Sequence, residues 1–219
     1  MRGLYAIVDV TILSIRRLPV VEVAGAIANA HPAALQVRAK DLAPRETLQL
    51  LRAVHAHCLE AGVPLFANDR PDLAVLAGCE GVHVGQDDIP VHVVRRIAPG
   101  LRIGVSTHTI AQVDQALAER PDYVAFGPVF ETRSKAQPDE VVGIDALCTV
   151  ARRCPVPVVA IGGIDLARAE AVGRATHLGA VIAGLLPDEA NDPPRAEPLA
   201  YLSLITDRAR ALHLALASA

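Results

Sequence analysis

Short runs rich in Val and Ile alternate with Ala- and Leu-rich stretches along the whole chain, and this alternation constrains the fold more than any other feature. The candidate strands are Gly3–Asp9, Ala33–Arg38, Val63–Asn68, Gly81–Gly85, Leu101–Ser106, Asp122–Gly127, Val156–Gly162 and Leu178–Gly184. Each is followed by a polar or Gly/Pro segment and then by a helical pattern. Strands joined through helices run parallel, because a parallel pair needs a long crossover. Eight such units in 219 residues predict an α/β chain folded as a single (β/α)8 TIM barrel, a fold of typically ~250 residues. Residues 1–219 are read as one domain. An open doubly wound sheet would need a switch in strand order and a Gly-rich fingerprint after the first strand. No G-x-G-x-x-G stands there.

Prolines and caps fit this register. Pro19, Pro44 and Pro90 each stand where a first helical turn is expected, and Asp165 is placed to cap a helix over Leu166–Gly173. The segment from Pro187 to Pro194 holds too much proline for a helix or a paired strand. A last helix over roughly Glu197 to Leu216 closes the pattern.

Hydrophobic residues make up 52% of the chain but aromatics only 3%, so the expected core is Ala, Val, Leu and Ile. Such a core suits strands buried on both faces. Net charge is −3, which argues against nucleic acid or an anionic membrane as partner. No apolar run approaches the ~18 residues of a membrane span, and Met1–Asp9 reads as a first strand rather than a signal peptide. Cys58, Cys79, Cys148 and Cys154 have no metal-type spacing and read as buried reduced thiols. The expected location is therefore cytoplasmic.

In a barrel of this kind the active site lies at the C-terminal ends of the strands. At the second strand end, alternation puts Gln36, Arg38 and Lys40 on the side facing the axis. Two cations converging there call for an anionic ligand, unless they are simply solvated and salt-bridged. The third strand ends in Asn68 and Asp69, the fourth runs into Asp87 and Asp88. Carboxylates from neighbouring strands can hold a hard cation such as Mg²⁺ together with substrate phosphate oxygens. The other reading of these acids is helix capping. Ser106 and His108 follow the fifth strand, where a hydroxyl either serves a ligand or caps a helix. His83, inside the fourth strand, reads as a packed core histidine. The longest strand–helix loop follows the sixth strand and carries Thr132, Arg133, Ser134 and Lys135. Those groups suit phosphate, as a lid or binding loop would. Gly162, Gly163 and Gly184 end the seventh and eighth strands, where barrels of this kind bind phosphate through backbone amides. The tally is two anion sites and no Ser/His/Asp nucleophile.

Read in order, Leu35-Gln36-Val37-Arg38-Ala39-Lys40-Asp41, Asn68-Asp69-Arg70, Gly81 to Asp88, Gly104 to His108, Gly127 to Phe130 with Thr132 to Lys135, and Ala160 to Ile164 resemble the thiamine phosphate synthase family. The resemblance implies that hydroxymethylpyrimidine diphosphate and hydroxyethylthiazole phosphate are joined to give thiamine phosphate and pyrophosphate. It implies that Gln36, Arg38, Lys40 and Asn68 hold the pyrimidine diphosphate, and that Asp69 and Asp88 hold Mg²⁺. Ser106 would sit by the reacting methylene, and Thr132, Ser134 and Lys135 would close over the diphosphate. Gly162, Gly163 and Gly184 would cradle the thiazole phosphate. Ser106, Lys135 and Arg38 are the implied catalytic set. The partners are thus small-molecule substrates, with a homo-oligomer left open.

The chain departs from the family pattern at Ser134, where a second Thr is usual, and at Gly184, where many members carry Ser. The segment Phe130-Glu131-Thr132 is also similar to the related thiazole tautomerase branch. That branch uses a His where Pro128 stands here and tends to lose the Asp pair. Two alternatives remain: a barrel that only binds a phosphate ester, which needs no metal-assisted leaving group, and a phosphate-binding isomerase or epimerase, which calls for an acid–base pair across the site.

Overall fold

A computed structural model describes residues 2–132, 139–176, 178–188 and 198–218. The strands β1 (Gly3–Asp9), β2 (Ala34–Arg38), β3 (Leu65–Asn68), β4 (Gly81–Val84), β5 (Arg102–Thr107), β6 (Tyr123–Phe126), β7 (Val158–Ile161) and β8 (Leu178–Val181) pair in sequence order and close into a barrel. Every pairing is parallel, and β1 meets β8 with Tyr5 opposite Ala180. The helices are α1 (Val10–Ile15), α2 (Val20–Ala28), α3 (Pro44–Ala61), α4 (Pro71–Ala77), α5 (Val91–Ile97), α6 (Ile110–Ala118), α7 (Gly143–Arg153), α8 (Leu166–Thr176) and α9 (Pro198–Ala217). No helix among the described residues is long and apolar enough to cross a membrane.

The expected barrel is therefore present; β1 keeps its expected bounds, β5 is shifted by one residue to Arg102–Thr107, and the other strands are trimmed at one or both ends. Strand β8 stops at Val181, and Gly184 lies in a 3₁₀ turn over Ala183–Leu185 instead of at a strand end. Helix α1 follows β1 directly, ahead of the helix expected from Pro19, and the apolar run Val10-Thr11-Ile12-Leu13 carries no helical pattern that marks it. Asp9 makes the break: its side chain accepts from the Ile12 amide at 3.0 Å and caps the helix. Pro19 and Pro90 precede their helices as caps rather than occupying the first turn, with ψ of 114° and 146°. Pro44 does open α3. Asp165 caps α8 as expected, accepting from the Arg168 amide at 3.0 Å.

Two apolar layers form. The larger lies between the barrel and its helices and is mostly Ala, Val, Leu and Ile, as the composition requires, with Phe126, Tyr201, Cys58 and Cys79 among them. The smaller fills the barrel itself, and there the expectation of an aliphatic core fails. Tyr5, Phe66 and Tyr123 meet inside it, with ring centroids 5.7 to 5.8 Å apart. A chain poor in aromatics has placed half of its Phe and Tyr residues at this one spot. Two inward positions are glycine to admit them. A Cβ on Gly81 would stand 2.2 Å from the Phe66 ring, and one on Gly104 would stand 1.9 Å from the Tyr123 ring. Tilted and edge-on aromatic contacts add about 0.5–1.5 kcal/mol per pair beyond burial. This plug closes the barrel below and sets the floor of the site above.

Candidate active site

Alternation along the strands carries the polar residues to the rim. In β1 and β2, Asp9 and Arg38 are register partners, and Arg38 Nη1 donates to Asp9 Oδ2 at 2.5 Å. Asp9 is 2% exposed and holds both this cation and the α1 amide, so it fixes the guanidinium at the mouth. Gln36 is buried, and its Nε2 donates to Asn68 Oδ1 at 2.9 Å. These side chains are braced rather than solvated, so Gln36, Arg38 and Asn68 form one organised wall.

Asp69 extends that wall. Its backbone has φ of 63°, a left-handed conformation that is uncommon outside glycine. Lys40 Nζ lies 3.4 Å from Asp69 Oδ2. Burial raises the Asp69 carboxyl above its ordinary range, the adjacent Asp88 carboxyl raises it further, and Lys40 opposes both. Helix capping does not account for either acid. Helix α4 begins after Arg70 and α5 after Pro90, both without a side-chain cap. Asp88 instead accepts from the Gly85 amide at 2.6 Å, which anchors it beside Asp69. Two facing carboxylates of this kind repel unless a shared proton or a cation lies between them, and hard oxygen donors suit Mg²⁺. No cluster of three or more acidic, His or Cys groups exists among the described residues, so substrate oxygens and water would have to complete such a site.

On the opposite side of the mouth, a cavity of about 480 Å³ is lined by Ser106, Thr132, Gly162, Gly163 and Gly184. Loops after β6 and β7 are zipped together there: the Val129 amide donates to Ile161 O at 2.8 Å and the Phe130 amide to Gly162 O at 3.1 Å. Gly162 and Gly163 have φ of 99° and 64°, and a Cβ on either would meet Pro128 or Glu131 within 2.4 Å. Their first duty is therefore this close packing, which leaves a rim without side chains for a ligand to approach. Ser134 and Lys135 fall outside the described residues.

Two further groups escaped the sequence reading. Arg168 lines the same cavity, donates from Nη1 to Gly163 O at 2.6 Å and covers the Phe130 ring at 4.9 Å. The available signal was its place in the first turn of α8, where a cation opposes the helix dipole and is normally avoided. His83 is the other. It is buried, but it is not merely packed: Nε2 lies 2.8 Å from Ser106 Oγ, tying it to the rim. His108 sits on the cavity wall with Nδ1 at 2.6 Å from Gly127 O and 3.6 Å from Asp139 Oδ2.

Residues 4–185 match the family described as thiamine monophosphate synthase. The thiamine-phosphate synthase of Anaeromyxobacter dehalogenans is 47% identical over 166 residues, covering 74% of this chain and 73% of that relative. The thiamine-phosphate synthase of Myxococcus xanthus is 37% identical over 187 residues, covering 84% and 85%. Among solved structures, a thiamine phosphate pyrophosphorylase from Pyrococcus furiosus superposes with a TM-score of 0.81 at 26% identity, covering 99% of this chain and 96% of that one. A 3-hexulose-6-phosphate synthase superposes with a TM-score of 0.66 at 16% identity, a likeness of fold alone.

Proposed function

The chain belongs to the thiamine monophosphate synthase family, and we propose that its barrel mouth holds a pyrimidine diphosphate at the ends of β2–β4 and a thiazole phosphate at the ends of β7 and β8. It is a transferase that moves the hydroxymethylpyrimidine group from its diphosphate to thiazole phosphate, giving thiamine phosphate and pyrophosphate. The whole of residues 1–219 serves this reaction as one domain.

One observation supports the division of the mouth: Asp69 and Asp88 face each other beside Lys40, with Arg38 at the end of the strand that leads to it, across the barrel from a cavity rimmed by glycines. Mg²⁺ held by the two carboxylates would bind diphosphate oxygens and offset the charge that grows on the leaving pyrophosphate. Arg38, oriented by Asp9, and Lys40 add fixed positive charge to the same group. Ser134 and Lys135 are assigned to that diphosphate on the sequence alone. Gln36 and Asn68 steady the pyrimidine end. Ser106 stands between the two halves, near the methylene whose bond to oxygen breaks as the thiazole nitrogen bonds to it. The amides around Gly163 and Gly184, with Arg168 above them, receive the second phosphate. Thr132 lines this second cavity, so we assign it to the junction between the substrates rather than to the diphosphate corner. Holding both substrates in line supplies much of the rate, since the pyrimidine carbon and the thiazole nitrogen then meet without a search.

Pyrophosphate and thiamine phosphate formed from the two substrates and Mg²⁺ test the reading. Wild-type protein should form both products, whereas Asp69→Ala, Lys135→Ala and Mg²⁺-free samples should lose at least about two orders of magnitude in rate. Binding of either substrate without any turnover by folded protein would instead leave a phosphate-ester-binding barrel.

A further inference from the structure

Below Ser106 a line of polar atoms runs down into the apolar floor of the barrel. Ser106 Oγ is 2.8 Å from His83 Nε2, His83 Nδ1 is 2.9 Å from the Tyr123 hydroxyl, and that hydroxyl is 2.8 Å from the Tyr5 hydroxyl. Tyr5 and Tyr123 are 2% and 1% exposed. Burial pushes both phenols above their ordinary range, so both keep their protons. The Tyr5 hydroxyl ends the line among Ile7, Ala34, Phe66 and Val159, and it has no other hydrogen-bond partner among the described residues.

A line of hydroxyls and one imidazole can be ordered in two directions. In the first, Tyr5 donates to Tyr123, Tyr123 donates to His83 Nδ1, and His83 donates from Nε2 to Ser106. Every buried proton then has an acceptor. In the second, Ser106 donates to His83 Nε2, His83 donates from Nδ1 to Tyr123, and Tyr123 donates to Tyr5. The Tyr5 proton then points into hydrocarbon with no acceptor, which lowers the population of that order by roughly tenfold or more. The stacked His83 and Tyr123 rings, with centroids 5.6 Å apart, leave little room for another arrangement.

We infer that this dead-ended line of buried hydroxyls holds His83 as the Nε2–H tautomer and so turns the Ser106 hydroxyl proton outward, making Ser106 a fixed donor into the substrate cavity. The inference rests on the placement of Ser106 between the two substrates. His83 and Tyr123 are positioning residues: they touch no substrate and act through Ser106. The order has a chemical consequence. With Nε2 already carrying a proton, His83 is not a base for Ser106, and Ser106 is not an activated nucleophile. The matching ligand group is an acceptor without a proton of its own, such as a pyrimidine ring nitrogen or an oxygen of the diphosphate. A hydroxyl already aimed at that atom costs no reorientation when charge develops on it.

The tautomer can be read in the substrate-free protein. Long-range ¹H–¹⁵N correlation spectra of protein labelled at histidine distinguish Nε2–H from Nδ1–H. The expected His83 pattern is a protonated Nε2 and a bare Nδ1 at neutral pH. Tyr123→Phe keeps the ring and removes the hydroxyl that meets Nδ1, so His83 should become a mixture of tautomers; an even mixture leaves about half of the molecules in the donor order, so kcat should fall about twofold with KM for both substrates unchanged. Tyr5→Phe should leave the tautomer as it is, because Tyr123 then becomes the new dead end. An Nδ1–H or doubly protonated His83 in the wild type, or a pure Nε2–H form in Tyr123→Phe, would overturn the inference. The spectra require no turnover, so a failed synthase assay with the expected tautomer would remove the site reading while leaving the buried order intact.

Discussion

Substituting Gly104 by Ala adds one methyl group at the point where the barrel interior is fullest. The new Cβ would stand 1.9 Å from Tyr123 Cζ and 2.3 Å from its hydroxyl oxygen. Carbon atoms at rest keep ~3.5 Å or more, so the ring must retreat by about 1.5 Å. The Tyr123 ring is boxed in by Tyr5, Phe66 and His83, and its hydroxyl bonds both Tyr5 and His83. Overpacking of this kind costs about 1–3 kcal/mol. Two stretched buried hydrogen bonds add about 1 kcal/mol each. Gly104→Ala should therefore lower stability by about 3–5 kcal/mol, a drop in Tm of roughly 10 °C for a chain of this size. Urea unfolding measures it. In a Tyr123→Leu background the ring is gone, and the same Gly104→Ala change should cost about 2 kcal/mol less, a coupling within the range seen for residues in contact. A Gly104→Ala protein within about 0.5 kcal/mol of wild type would show that the plug yields easily and that the two glycines were not set by it.

Arg168→Ala should raise KM for thiazole phosphate about fivefold, the loss of about 1 kcal/mol from a partly exposed charge-assisted bond, and leave KM for the pyrimidine diphosphate unchanged; equal shifts in both would place Arg168 elsewhere in the reaction. Burial pushes the Cys58 and Cys79 thiols up to about 12, with Glu80 adding to the effect. At pH 8 their thiolate fraction is then roughly one in ten thousand, and a thiol reagent followed by peptide mass spectrometry should label them only in urea. Labelling of either in the native protein at the rate of a free thiol would contradict that.

Much of the architecture was legible because it depends on local order. Parallel strands buried on two faces leave unbroken Val- and Ile-rich runs, and eight of them in order are enough to close a barrel. Strand ends were less legible. Pro64 has no N–H for the ladder, and the third strand starts after it at Leu65 rather than at Val63; the first strand ends at Asp9 as expected, but an apolar run after Asp9 does not reveal that a helix capped by its side chain begins there. At the rim, residues on one strand could be grouped from alternation, as Gln36 and Arg38 were. Their braces could not, because Asp9 lies 29 residues from Arg38 and Asn68 lies 32 from Gln36.

The sequence by itself determined the class of fold, and it pointed to the C-terminal end of the barrel as the proposed site, with two acids, two cations, a serine and a set of glycines around that rim. These follow from periodicity and from strand order, which are properties of neighbours along the chain. Tertiary structure alone decided the rest. Closure of the barrel turned Tyr5, Phe66 and Tyr123 inward against Gly81 and Gly104, and it joined His83 to Ser106 across adjacent strands. It also set Arg168 beside Gly163. Such contacts depend on the shear between strands and on the volume left inside the ring, and a linear sequence states neither quantity.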